Sequence, residues 1–221
     1  MSWPESPTAF RRAVEAGKTP YGYRLLVGVD LCPTSTRVLD LGCGDGALTH
    51  LLEAKGHTVV GVDRVTTGID FNAPQLPFAD QEFPVVICLD VLEHVLDPRH
   101  LLRETARILR PHGVLILVTP NIRYLPHLWT LACGQFPCTS GDPTGYDGGH
   151  LHYFTYRDVR ELMRHAGFRH VEEFNFADWN ARRTQWHGGG RRFLTYRLTT
   201  LLGRRLQREF FSSSVVMRAT K

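Results

Sequence analysis

Short, continuous apolar runs alternate along this chain with longer stretches whose apolar residues recur every three or four positions. The runs at 38–41, 58–62, 85–89 and 114–118 read as strands covered on both faces. Between them, 47–55 reads as a helix with Leu48, Leu51 and Leu52 facing inward and Gly56 at its C-cap. Asp97 as N-cap and Pro98 in the first turn open another, whose buried stripe is Leu101, Leu102, Thr105, Ile108 and Leu109 and which Arg110-Pro-His-Gly ends. Upstream, 6–16 forms a short helix with Phe10, Ala13 and Val14 on one side, stopped by Gly17. Downstream, Thr155 and Asp158 make a capping box for a helix over 157–166, closed by Gly167. Strands at 168–176 and 213–219 come last, with an amphipathic helix over 191–207 between them that buries Leu194, Leu198, Leu201 and Leu202. Strand and helix in repeated alternation, then a helix and a terminal strand pair, predict a doubly wound α/β sheet. One link is irregular: after the second strand the chain runs through Arg64-Val-Thr-Thr-Gly to Ile69-Asp70-Phe71-Asn72, which leaves too little room for a full helix.

The first strand breaks into glycines, Val38-Leu39-Asp40-Leu41-Gly42-Cys43-Gly44-Asp45-Gly46, and the second, Thr58-Val59-Val60-Gly61-Val62, ends on Asp63. Glycines let the backbone turn sharply and let a ligand approach main-chain N–H groups. Asp63 lies twenty-one residues beyond Gly42, at a strand end, where a carboxylate can accept both hydroxyls of a ribose. Asp40 precedes the first glycine, Asp45 sits inside the loop, and no Lys or Arg lies between 38 and 54. Two carboxylates there would repel a pyrophosphate, so NAD, FAD and ATP fit poorly. S-adenosylmethionine has no phosphate, and its sulfonium and ammonium would be favoured.

On these residues the chain resembles the class I S-adenosylmethionine-dependent methyltransferases, among them small-molecule enzymes of ubiquinone-like, glycan or metabolite pathways. The resemblance spans about 38–176 and is carried also by Leu76-Pro77-Phe78-Ala79-Asp80, by Glu93-His94 and by His152-Tyr-Phe-Thr. It implies a Rossmann-like, mostly parallel seven-stranded sheet, its last strand antiparallel, with helices on both faces. It implies S-adenosyl-L-methionine as cofactor, S-adenosyl-L-homocysteine as product, and cofactor contacts from Asp40, Gly42, Gly44, Asp63, Asp70, Phe71 and Leu89. Asp70 would accept from the adenine amino group and Phe71 would pack on the ring. Two positions depart from the family: Pro84 follows Phe83 where an aspartate is usual, and His112 replaces a glycine of Leu-Arg/Lys-Pro-Gly-Gly.

With 221 residues, 43% of them hydrophobic, the chain has enough apolar surface for one substantial core. The expected organisation is a single methyltransferase domain over 1–221: an N-terminal helical lid at 1–36, a cofactor-binding core at 37–120, a substrate-selecting insertion at 121–150, and helices and strands completing the sheet at 151–221. Tyr21, Tyr23 and Arg24 are candidate lid residues, and the insertion gathers Trp129, Phe136 and Tyr146 among Gly, Pro and Asp. No apolar run approaches the roughly 18 to 20 residues that span a bilayer, so a cytoplasmic protein without membrane insertion is expected. Five cysteines, Cys32, Cys43, Cys88, Cys133 and Cys138, form no CxxC pair and read as reduced thiols. The formal charge is +4, with an excess of arginine at 182–208. That cluster reads first as a solvated helix face, with RNA binding as the alternative and nucleic acid not expected as a partner.

Methyl transfer needs its nucleophile held in line and relieved of a proton. Glu93, His94 and His152 are the catalytic candidates, with histidine suited to act as a base near neutral pH and Glu93 placed to orient it. The resemblance also implies an alternative without which the reading is complete: a divalent metal on Asp90, Glu93, His94 and His150. The expected reaction is methylation of a hydroxyl or amine of a small molecule such as a quinone, sugar or other metabolite. An RNA methyltransferase and a non-catalytic S-adenosylmethionine-binding protein are the alternatives.

Overall fold

Successive residues of a strand face opposite sides of a sheet, and this chain buries both. The computed structural model describes residues 6–15, 22–34, 36–140, 145–176 and 203–221. From β1 (Arg37–Leu41), Val38 enters one core, built with α1 (Pro7–Glu15), α2 (Gly22–Leu31) and α3 (Ala47–Glu53). Leu39 and Leu41 enter the other, built with α4 (Pro98–Ile108) and α7 (Tyr156–His165). The same alternation runs through β3 (Phe83–Leu89), where Val85 and Ile87 oppose Val86 and Cys88, and β4 (Leu109–Pro120), where Ile116 and Val118 oppose Leu115 and Leu117. Two apolar faces on β1, β3 and β4 explain their continuous apolar runs, whereas the run at 58–62, expected to be covered on both faces, is only partly buried.

With β2 (Thr58–Val62), β5 (Arg169–Asn175) and β6 (Ser214–Thr220), the sheet has the order β2-β1-β3-β4-β6-β5. β2, β1, β3 and β4 run parallel, and β6 runs antiparallel to both β4 and β5. Among the described residues the sheet is therefore mixed and six-stranded, which corrects the expected count of seven. The reason lies at the short link: residues 63–82 form turns, with no helix or strand. Glu104 and Arg107 of α4 hold that link. Glu104 accepts from Leu76 N–H at 2.8 Å, and Arg107 donates to the Leu76 and Phe78 carbonyls at 3.1 and 2.8 Å. β2 is left as the edge of the sheet.

The helix starts hold, but two ends fall early: α3 stops at Glu53 with Ala54 as its C-cap, and Leu109, expected in the helix stripe, turns extended and opens β4. Asp97 accepts from Arg99 N–H at 2.9 Å with Pro98 at the first position, and Thr155 and Asp158 form the reciprocal capping box. His112 takes a left-handed φ of 61°, which explains why a glycine suits that position. The segment 121–150 carries α5 (Leu125–Ala132), which buries none of its residues, and α6 (Gly145–Gly149); residues 141–144 lie outside the described ones. Of the helix expected over 191–207, residues 191–202 with all four leucines lie outside them too. The described part is α8 (Arg204–Phe211), whose Arg208 pairs with Glu173 of β5 and lies 5.0 Å from the Tyr156 ring.

Candidate functional site

Open α/β sheets bind ligands beyond the carboxyl ends of their strands, and there β1 runs into the glycine turn. Gly42, Gly44 and Gly46 all take left-handed backbone, with φ of 85°, 53° and 83°. A Cβ at Gly42 would meet Val91 Cγ2 at 2.2 Å, whereas one at Gly44 would meet nothing within 4 Å. Packing demands the first glycine, and the second keeps an approach open. Asp63 closes β2, its Oδ2 accepting from Gly44 N–H at 3.3 Å and its Oδ1 from Val65 N–H at 2.7 Å.

Beside the turn lies a cavity of about 260 Å³ lined by Asp40, Asp45, Leu89, Asp90 and, from α2, Arg24. Asp40 is buried and accepts from the Thr49 hydroxyl at 2.8 Å; burial lifts its carboxyl to about 6. Arg24 Nη1 pairs with Asp90 Oδ2 at 2.7 Å. Asp90 holds a left-handed φ of 54°, and its Oδ1 is buried without a hydrogen-bond partner among the described residues. A buried acceptor left unpaired costs free energy, so its presence in a cavity suits a bound donor.

One turn further on, Glu93 is 1% exposed. Thr119 of β4 donates to its Oε2 at 2.8 Å, while Oε1 has no hydrogen-bond partner among the described residues and lies 4.0 Å from His150 Nε2. Burial, and then the nearby Asp90 charge, push the Glu93 carboxyl up to about 8. The backbone after α6 docks on this turn, with the N–H groups of Leu151 and His152 both reaching the Glu93 carbonyl, at 2.8 and 3.2 Å. His94 is exposed; its Nδ1 donates to the Gly149 carbonyl at 3.3 Å and its ring meets that of His150 edge to face at 4.6 Å.

The catalytic candidates thus separate. Glu93 and His94 stand together, whereas His152 is fastened elsewhere, its Nε2 3.0 Å from the Val95 carbonyl and its ring stacked on Phe154. His150 takes the place beside Glu93. Of the four groups in the metal alternative, Glu93, His94 and His150 bring ligand atoms within 4.8 Å of one another, but Asp90 is turned to Arg24. The three that meet carry a single carboxylate, whose other oxygen accepts from Thr119. Asp70 is exposed and accepts from Asn72 N–H at 3.0 Å, and the Phe71 ring belongs to the core around Leu76 and Leu92. Tyr21 lies outside the described residues, and Tyr23 is buried. Sequence reading missed the Arg24–Asp90 pair and the partners of His150, Thr139 and Asp147. The available signal for Asp147 was its place among glycines, in a stretch that must turn tightly.

Residues 19–173 match the family described as a methyltransferase domain. The chain belongs to the class I S-adenosylmethionine-dependent methyltransferase family. Curated relatives of this methyltransferase chain include ubiquinone biosynthesis O-methyltransferases. That of Coxiella burnetii is 31% identical over 116 residues, covering 45% of this chain and 50% of that protein. That of Actinobacillus pleuropneumoniae is 33% identical over 107 residues, covering 38% and 46%. The chain spans about half the length of the curated relatives it matches. A solved S-adenosylmethionine-dependent methyltransferase from Archaeoglobus fulgidus superposes with a TM-score of 0.60 at 19% identity, over 96% of this chain and 94% of that one. The cyclase SpnF also shares the fold, with a TM-score of 0.55 at 19% identity over 90% and 81%. The fold alone leaves the reaction open.

S-adenosylmethionine fits the cradle on the chemistry of its walls. The unpaired Asp90 Oδ1 with Asp40 and Asp45 suits a ligand bearing positive charge, and Arg24 suits its carboxylate. Asp63 and the open space at Gly44 suit a ribose and a closely approaching chain.

Proposed function

We propose that this methyltransferase moves a methyl group from S-adenosylmethionine to a hydroxyl of a small-molecule acceptor, phenolic rings of the quinol type being the first to test. The observation that carries the reading is a buried acid–imidazole group, Glu93 with His150, one turn beyond the cavity residue Asp90. When bound, the cofactor supplies an electrophilic methyl group and leaves as S-adenosylhomocysteine. The chain's own work is to hold the acceptor in line, keep water out and take one proton. In this reading α2 and the rest of 1–36 act as a lid that brings Arg24 to the cavity, and 121–150 selects the acceptor. Glu93 and His94 belong to the proton-handling group. The names of the curated relatives support oxygen over nitrogen as the acceptor atom. RNA finds less support, because Arg208 is engaged with Glu173 and Tyr156.

Two measurements test the proposal. Calorimetry with S-adenosylhomocysteine should show binding that weakens by about 1.5 to 3 kcal/mol in Asp63→Ala, the usual worth of hydrogen bonds to a charged group; unchanged affinity would remove Asp63 from the ribose site. Incubation with S-adenosylmethionine and catechol, followed by mass spectrometry, should yield methylated catechol. Failure with catechol and a panel of other phenols, while the cofactor product still binds, would overturn the hydroxyl assignment.

A further inference from the structure

His150 is wired into the insertion by a chain of hydrogen bonds whose direction can be deduced. Asp147 in α6 is buried, with a left-handed φ of 52°. Its Oδ1 accepts from Thr139 N–H at 2.6 Å and Ser140 N–H at 2.7 Å, and its Oδ2 takes the Thr139 hydroxyl. Burial alone would raise this carboxyl, yet these hydrogen bonds hold it at about 2, so it is ionised and can only accept. Thr139 has a single hydroxyl proton, and it goes to Asp147. The Thr139 oxygen is then an acceptor toward His150 Nδ1, 2.7 Å away, and Asp147 Oδ2 faces the same nitrogen at 3.3 Å. A nitrogen facing two acceptors must carry the hydrogen.

The consequence appears at the other side of the ring. Burial first, and then the neighbouring His94, lower the affinity of His150 for a second proton. The neutral ring therefore has its lone pair on Nε2, the atom that faces Glu93 Oε1. The other titratable groups around it are His94, Asp90 and Tyr153, whose ring is 6.4 Å away. His94 and His152 also have their tautomers set, each giving a ring N–H to a backbone carbonyl, but neither hydrogen bond ends on a carboxylate that could balance an imidazolium, and His152 is turned to Val95.

We propose that Nε2 of His150 is the base that receives the acceptor's proton, and that Thr139 and Asp147 are positioning residues that fix its tautomer. The inference rests on the methyl-transfer reading above. In the step, the acceptor O–H bond breaks with its proton passing to Nε2. The oxygen keeps that electron pair for the new bond to the methyl carbon, and the pair of the old C–S bond stays on sulfur. The imidazolium charge is then balanced by Asp147 through Thr139, before the proton passes to solvent.

Isotope-labelled histidine, read by nitrogen NMR in the free protein and with S-adenosylhomocysteine added, reports the tautomer without any turnover. Wild type and Thr139→Ser should show His150 protonated at Nδ1, and Thr139→Val and Asp147→Asn should show a mixture. With catechol as the probe acceptor, His150→Gln should lower kcat by about 100-fold or more, and the two positioning variants by about 10- to 100-fold. S-adenosylhomocysteine affinity should hold in all of them. Asp147→Asn should also move the acid limb of the kcat profile to lower pH, because a charge that favours imidazolium is gone. Protonation of wild-type His150 at Nε2, broadening of its ring signals by added Mn²⁺ alone, or an unmoved acid limb would each overturn the proposal. If catechol is not methylated, the acceptor class is at fault, and the tautomer measurement still decides this inference.

Discussion

The glycine turn and the insertion bring polar groups to one edge of the same sheet, and they do so by opposite means. At 42–46 the backbone is the functional part, and its neighbours are close in sequence: the turn, the helix it feeds and the strand that ends on Asp63. At 121–152 the proposed chemistry would fall to side chains, and each depends on a partner that is remote or irregularly spaced. His150 needs Thr139 and Asp147 on one side and Glu93 on the other. The difference teaches that a glycine cradle can be written as a local motif, whereas a buried acid–imidazole group is written only in the tertiary fold.

The sharpest way to break this contrast is to add one methyl group at two neighbouring glycines. Gly42→Ala must place a Cβ 2.2 Å from Val91 Cγ2 in a left-handed backbone. The combined crowding and strain should lower stability by about 2 to 5 kcal/mol, measured from urea midpoints. Gly44→Ala meets nothing within 4 Å, so only the backbone cost of about 1 to 2 kcal/mol applies, while S-adenosylhomocysteine affinity falls. Equal stability losses at both sites would mean that the turn is not divided between packing and access.

A smaller effect sharpens the other side. Burial and then Asp90 hold the Glu93 carboxyl neutral in the fold up to about 8, whereas an unfolded chain ionises it near 4.5. The unfolded state alone loses that proton as pH rises between those values, so wild-type stability declines across the window from this group. Glu93→Gln cannot lose a proton. Its stability relative to wild type should therefore rise from pH 5 to pH 8, read from urea midpoints at both. A constant difference would show that Glu93 is ionised in the fold.

The smallest expected effect lies far from both regions. Arg204 and Arg205 are exposed in α8, and replacing both by Gln should change stability by less than about 0.5 kcal/mol. Co-sedimentation of wild type with anionic vesicles, lost in the double variant, would show instead that this face binds a surface.

Periodicity made most of the fold legible: the apolar runs became strands because both faces are covered, and Asp97 and Thr155 became caps because their side chains fit free N–H groups. The glycine turn and Asp63 were legible for the same local reason. The sheet width was not, because an implied seventh strand had to yield to a link that α4 pins with Glu104 and Arg107. Nor was the choice among histidines. His150 and His152 are two residues apart, and only the docking of their segment on the Glu93 carbonyl sends one ring to the acid and the other to Val95. Arg24 was a candidate by position, but its partner, at the end of β3, could not be read from the spacing.

One feature of the sheet bears on the order of events during folding. β6 lies between β4 and β5 in space but follows both in the chain. Until it arrives, β5 has no neighbour to bond with and β4 shows a bare margin along its length. As the chain is synthesised, β1 to β4 can assemble from what has already emerged, whereas β5 must wait with its hydrogen-bonding groups exposed to water or to other chains. The late strand also makes, with β4, the sheet pairing of greatest sequence separation, so that pairing carries a large loop-closure cost. Assembly of this half of the sheet should therefore be the slow event, and the interval before it closes is when the nascent protein is most open to edge-to-edge aggregation.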